Sequence, residues 1–240
     1  MLHLCAAWQS LALAMTLQTT LLLTTGGTSR RCERCAVVVT RVDKTTAFAA
    51  PQLSPCCRVL TLTTIRTLVY TDFIFDRGNL FLSALAAAVP RAEAILGLSP
   101  GALPAHRRCL MGSSLSSLLA LRSLFDLPET FGAIFAGSPS LVLAPRVLAM
   151  AQRRAATLHD AAGSVSCSAA GREVLLMSSE GDDSPNGSSI GSKAREMAAA
   201  LNALGHRASA SVVAGEDHGS CKPSMVSRCL GWLERQVWVE

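Results

Sequence analysis

From about residue 36 the chain alternates short β-rich apolar runs with segments whose apolar positions recur at helical spacing. Residues 36–40 (AVVVT) read as a buried strand, and residues 59–70, rich in Val, Ile, Leu and Thr, read as another. Residues 80–89 are apolar and Ala-rich, with Pro90 placed to end one helix or open the next. Residues 109–111 form a short apolar strand that stops at Gly112, and residues 115–125 carry Leu at 115, 118, 119 and 121, a helical pattern. Strand signals return at 132–136, 174–177 and 208–213. Helical signals lie between and after them at 143–157, 194–204 and 225–237. Strands alternating with helices predict an α/β fold, a mainly parallel sheet with helices on both faces.

The sharpest local feature is Gly112-Ser113-Ser114-Leu115-Ser116, where a strand turns directly into a helix. A nucleophile elbow needs small residues there, so that strand and helix approach closely and one hydroxyl stands above the sheet edge. Ser114 is the candidate nucleophile. The Leu115 N–H, at the helix start, is the candidate oxyanion donor. The usual pattern is G-x-S-x-G, and Ser116 brings a β-carbon where glycine has none, which predicts a strained or altered turn. A helix N-cap is the plainer role for a Ser at this position.

A hydrolase triad of this type runs Ser, acid, His, each after a strand. Three acids, Glu180, Asp182 and Asp183, follow the 174–177 strand, and the loop Gly215-Glu216-Asp217-His218-Gly219 follows the 208–213 strand. His218 is the candidate base. His106 and His206, in polar helix-end settings, read as solvated.

Residues 108–121 (RCLMGSSLSSLLAL), continuing through 126–141 (DLPETFGAIFAGSPSL), resemble the esterase branch of the α/β hydrolases that includes enterochelin (siderophore) esterase-like and esterase D-like enzymes. There a Ser-bearing turn is followed by a helix, a Pro-x-x-Phe and a strand ending in Ser-Pro-Ser. The Gly-Glu-Asp-His-Gly run is similar to that family's His loop. The resemblance spans roughly residues 77–235, and its Pro-x-x-Phe to Ser-Pro-Ser block is more specific than the elbow. It implies Ser114 as nucleophile, His218 as base and Asp182 as acid, with Glu180 and Asp183 as neighbouring alternatives. It also implies a small-molecule carboxylic ester as substrate, siderophore-like or another small acyl ester, with neither cofactor nor metal. Two departures stand out. The family's paired glycines after the nucleophile are Ser116-Ser117, and no first-strand block with an oxyanion loop is recognisable in the N-terminal third, where Gly26-Gly27 is a candidate for the second donor. A catalytically impaired homologue serving as a binding module is the alternative function.

Composition sharpens this picture at a few points. Half of the 240 residues are apolar and 16% are charged, which excludes a disordered chain. Aromatics are 5%, with Tyr70 the one tyrosine, which speaks against base stacking and a nucleic-acid partner. The formal charge of +5 resides in residues 1–71, where seven Lys/Arg face Glu33 and Asp43; the remainder balances 15 against 15. That asymmetry suggests a presequence, an interaction surface or altered N-terminal sequence.

The first 29 residues contain no Lys, Arg, Asp or Glu, and the apolar run 11–23 is shorter than the roughly 20 residues of a membrane span. A signal peptide, a transit peptide before Arg30, Arg31 and Arg34, and an inner strand at 21–23 all remain open for residues 1–35. Residues 36–240 are the expected esterase domain, cytoplasmic unless that segment is a presequence. The nine cysteines are odd in number, so they cannot all pair, and the Cys32/Cys35 and Cys56-Cys57 spacings do not repeat a zinc knuckle. Cys109 reads as a small buried hydrophobe.

Overall fold

The computed structural model describes residues 18–25, 34–41, 57–61, 80–95, 99, 101, 103–160, 171–183 and 189–237. Seven strands form one sheet: β1 (Gln18–Thr25), β2 (Arg34–Arg41), β3 (Cys57–Thr61), β4 (Arg108–Ser113), β5 (Ala133–Gly137), β6 (Glu173–Ser179) and β7 (Arg207–Val213), in the order β2-β3-β1-β4-β5-β6-β7. The helices are α1 (Leu80–Ile95), α2 (Leu115–Asp126), α3 (Pro145–Asp160), α4 (Ile190–Ala203) and α5 (Cys221–Trp232), the last running into a wider turn at Leu233–Val237. No helix among the described residues is long and apolar enough to cross a membrane.

Strands β4 to β7 are consecutive neighbours and parallel, with Met111 opposite Phe135, Phe135 opposite Leu175 and Leu175 opposite Ser209. These are the four strands expected at 109–111, 132–136, 174–177 and 208–213. β4, β5 and β6 are apolar through their middles because both faces of the sheet are covered there, whereas β7, RASASVV at the end of the sheet, is mostly exposed and buries Val213. On one face Leu110, Ile134, Ala136, Val174 and Leu176 pack with residues of α1, α2, α3 and α4, Leu82, Leu118, Val147 and Met197 among them. On the other, Cys109, Met111, Phe135, Leu175 and Met177 pack against Met225, Cys229 and Trp232 of α5. Burying a side chain such as Phe135 or Ile134 contributes about 1.5–3 kcal/mol each, and both are fully buried. Cys109 is buried, as its apolar setting predicts.

Helix α1 runs through Pro90 where the sequence predicts a break. Pro90 is exposed, and three residues later the fully buried Glu93 takes two hydrogen bonds from Arg108, at 3.0 Å from Nε and 2.7 Å from Nη2. That buried ion pair at the start of β4 anchors the helix beyond its proline. Of the 59–70 run, 59–61 belong to β3 and the remainder lies outside the described residues. Residues 21–23 lie in β1, which is antiparallel to β4. Cys35 and Cys57 are register partners across β2 and β3, while Gly26, Gly27, Cys32 and Cys56 lie outside the described residues.

Candidate active site

The C-terminal ends of β4, β6 and β7 lie on one edge because the strands are parallel, and an open α/β sheet binds its ligands at that edge. The chain leaves β4 through Ser114, whose φ of 58° and ψ of −122° are unusual for a residue with a side chain. Its backbone is gripped on both sides. The Ser114 N–H donates to the Gly137 carbonyl at 2.8 Å, and its carbonyl accepts from Ser117 N–H at 3.2 Å and from the Ser117 hydroxyl. Gly112 is what lets helix meet strand: a β-carbon there would stand 2.2 Å from the Ser116 carbonyl oxygen. The Ser114 side chain makes no capping bond to α2, so the plain N-cap role is not the one it plays.

Three buried serines sit within helix α2 without an orphaned hydroxyl, because each donates to a carbonyl three residues back. Ser116 donates to Ser113 O at 2.7 Å, Ser117 to Ser114 O, and Ser123 to Ala120 O at 2.7 Å. The Ser116 oxygen also accepts the Ser113 N–H at 3.0 Å. The side chain expected to strain the elbow ties it together instead. Ser116 does not need the glycine-favoured region either, since among the described residues the non-glycine ones with positive φ are Ser114 and Ser138.

Asp182 and His218 converge on Ser114. The His218 Nε2 lies 3.0 Å from Ser114 Oγ, and its Nδ1 lies 2.8 Å from Asp182 Oδ1. Asp182 is buried, in the 3-10 turn Glu180–Asp183 that ends β6. Its second oxygen accepts from the Ser138 hydroxyl at 2.6 Å and from the Ser179 N–H at 2.8 Å. Burial, the largest single influence, pushes the carboxyl up in pKa, but the hydrogen bonds from His218, Ser138 and Ser179 outweigh it and hold Asp182 at about 2. An ionised carboxylate only accepts, so Nδ1 is the donor of that bond, and Nε2 is the nitrogen that faces the Ser114 hydroxyl.

The neighbouring acids are engaged elsewhere. Glu180 Oε2 accepts the Gly215 N–H at 2.7 Å, which with Gly181 N–H to Glu216 O at 3.1 Å fastens the acid loop to the His loop. Gly215, at φ +72°, supplies the left-handed corner after β7. Asp183 Oδ1 accepts from the N–H groups of Gly191 and Ser192 at the start of α4, and its Oδ2 meets Arg195 at 3.1 Å. Asp217 Oδ1 accepts from Gly219 N–H and Ser220 N–H at 2.7 and 2.8 Å, shaping the loop that carries His218 into α5.

Leu115 is the first residue of α2, where backbone N–H groups have no intrahelical acceptor. Cys221, beside Ser138, keeps its thiol protonated because burial pushes its pKa up, and donates to His218 O at 3.6 Å. His106 is exposed. His206 is only partly exposed: burial, aided by the Arg172 charge, holds its imidazole below the ordinary pKa, and Nδ1 accepts the Arg172 N–H at 3.2 Å. What the sequence reading missed is the turn after β5. Ser138 reaches Asp182, and the Ser140 hydroxyl stands 3.3 Å from that of Ser114. Both lie in the Ser-Pro-Ser run that the family resemblance had singled out without a role.

No protein-family model matches the chain, and no curated protein does. Among solved structures, the enterobactin esterase from Shigella flexneri determined in the presence of enterobactin matches with a TM-score of 0.52 and 21% identity, over 76% of this chain and 44% of that one. The same esterase in the presence of 2,3-dihydroxy-N-benzoyl-glycine gives 0.50 and 19%, over 74% and 44%. The siderophore hydrolase EstA from Aspergillus nidulans gives 0.39 and 23%, over 50% and 45%. The chain therefore spans less than half the length of these proteins. The architecture it shares with the enterobactin esterase, a mainly parallel sheet with helices on both faces, is the α/β-hydrolase fold.

Proposed function

We propose that the chain is a serine hydrolase that cleaves carboxylic esters, siderophore-like or other small acyl esters, through Ser114, His218 and Asp182. The observation that carries this reading is the unbroken hydrogen-bonded series from Asp182 Oδ1 through both nitrogens of His218 to Ser114 Oγ. The fold shared with an enterobactin esterase supports it. In this mechanism Ser114 Oγ attacks the ester carbonyl while His218 Nε2 takes its proton, a transfer worth about 10²- to 10⁴-fold in rate. The tetrahedral oxyanion is met by the Leu115 N–H. Collapse expels the alcohol, which receives the proton from Nε2; water, deprotonated by the same nitrogen, then releases the acid from Ser114. Asp182 stays ionised throughout and holds the ring in the tautomer the cycle needs.

Enzymes of this fold take a second oxyanion donor from a loop that precedes the nucleophile in sequence. Losing one donor costs on the order of 10²- to 10³-fold in turnover. Residues 1–71 contain no recognisable loop of that kind, which makes turnover on the low side the expectation and favours, as a second reading, a non-catalytic homologue that binds without cleaving. Covalent labelling with a fluorophosphonate decides between them. The full chain should label at Ser114 and hydrolyse p-nitrophenyl short-chain esters, and Ser114→Ala and His218→Ala should abolish both with nearly unchanged thermal stability. A folded protein that never labels belongs to the second reading.

A further inference from the structure

We propose that the Ser138-Pro139-Ser140 turn is a brace for the catalytic residues, with Ser138 positioning Asp182 and Ser140 positioning Ser114. This rests on the reading of Ser114, His218 and Asp182 given above and assigns to the turn the task of holding both ends of that series at once. The turn leaves β5, the strand between the nucleophile strand β4 and the acid strand β6. Among the described residues it is thus the one connection at this edge that lies between the two.

Its geometry is specific at each end. The Ser138 hydroxyl donates to Asp182 Oδ2 at 2.6 Å, leaving Oδ1 to face His218. With Ser138 and the Ser179 N–H both on Oδ2, the carboxylate cannot rotate without breaking two charge-assisted bonds. At the other end the Ser140 N–H donates to Ser114 O at 3.4 Å, and the two hydroxyl oxygens are 3.3 Å apart. The Ser114 proton is directed at His218 Nε2, so the donor between the hydroxyls is Ser140. That bond fixes the Ser114 rotamer and strengthens as negative charge grows on Oγ during proton transfer. Between the two, Pro139 locks one backbone torsion and with it the spacing of the hydroxyls.

The backbone is held at a cost that a plain connecting turn would not need. Ser138 sits at φ 41°, in the region where residues with side chains are uncommon, and is 1% exposed. Its N–H donates to Met177 O at 2.6 Å, which pins the turn to β6. Such strain persists where the surroundings enforce it, and it gathers at working sites.

The test compares the full-length parent with Ser138→Ala, Ser138→Gly and Ser140→Ala. Glycine suits a positive φ, so Ser138→Gly guards against a folding loss that alanine could cause. Both Ser138 variants should keep a native melting transition and an unchanged KM for a p-nitrophenyl ester. Their kcat and fluorophosphonate labelling rate should fall on the order of 10- to 100-fold, the size of a lost bond to a charged group. Ser140→Ala should slow both by about 2- to 10-fold, the size of a neutral bond. In proton NMR the far-downfield His218 Nδ1–H resonance should shift in the Ser138 variants and stay in place in Ser140→Ala, a signature that a merely structural turn would not produce. If the parent labels at Ser114 while all three variants match it within twofold and keep that resonance, the brace is refuted and the hydrolase reading stands. If the parent itself neither labels nor turns over, the hydrolase reading fails and the brace falls with it.

Discussion

Placing a glycine at position 116, where the G-x-S-x-G pattern has one, is the perturbation that most directly opposes sequence pattern to structure. By pattern, Ser116→Gly relieves an overfilled elbow and speeds the nucleophile. By geometry it removes a side chain whose oxygen accepts the Ser113 N–H at 3.0 Å and donates to Ser113 O at 2.7 Å, in a site 1% exposed. Leaving the buried Ser113 N–H without that acceptor costs about 1–3 kcal/mol, and the lost donor to the carbonyl about 1 kcal/mol more. Exchanging Ser for Gly in a helix adds about 0.5 kcal/mol. The variant should therefore be less stable by about 2.5–4.5 kcal/mol. For a chain of this size that lowers the melting temperature by about 5–18 °C. Denaturant titration gives the free-energy difference, and the fluorophosphonate labelling rate at Ser114 reads the elbow itself, which should label no faster than the parent. A variant as stable as the parent that labels faster would refute this reasoning and restore strain at Ser116 as the limiting defect.

Three further outcomes follow from the same geometry. Asp182→Asn should cut the labelling rate of Ser114 by on the order of 10⁴-fold, as losing the triad acid does by imposing the wrong tautomer, whereas Asp183→Asn should leave labelling unchanged and cost about 1 kcal/mol in denaturation, the worth of its capping bonds to α4. The reverse result would move the acid one residue along. Gly112→Ala drives a β-carbon to 2.2 Å from backbone oxygen and 2.5 Å from backbone carbon of Ser116, so it should cost on the order of 4 kcal/mol or more and abolish labelling, measured by circular dichroism and the same probe. Asp182 is held near 2 against an ordinary 3.8. A carboxyl with a lowered folded-state pKa contributes stability that is present above pH 3.8 and lost as pH falls towards 2, here about 2.5 kcal/mol. Urea titrations at pH 4 and pH 2 should show about 1.8 kcal/mol of that loss in the parent and a smaller one in Asp182→Asn.

The central strands were legible because burial on both faces leaves its mark in composition. Val174, Leu175, Leu176 and Met177 are each buried, and a run of that kind reads as a parallel strand without any knowledge of its neighbours. Strand order then places the ends of β4, β6 and β7 on one edge, and chain order supplies Ser114, an acid and His218. Pro90 misled because its local rule was overridden at a distance: Glu93 is fixed by Arg108, fifteen residues on, and that pair carries the helix past its break. His206 misled for a similar reason, since the acceptor role of its Nδ1 depends on the start of β6 lying alongside.

The choice among Glu180, Asp182 and Asp183 shows where pattern reading stops. All three are short acids on one four-residue turn, alike in hydropathy and within two residues of the middle one. A 3-10 turn has about three residues per turn, so consecutive side chains fan out roughly a third of a circle apart. Glu180 is sent to the Gly215 N–H, Asp182 inward to His218, and Asp183 to the start of α4. Each destination belongs to a segment at least eight residues away. The same holds for Ser138 and Ser140, whose partners lie 44 and 26 residues distant. A hydroxyl or a carboxylate contributes through the group it meets, and that meeting is a product of tertiary structure, so the sequence offers the residue type and the fold decides its work.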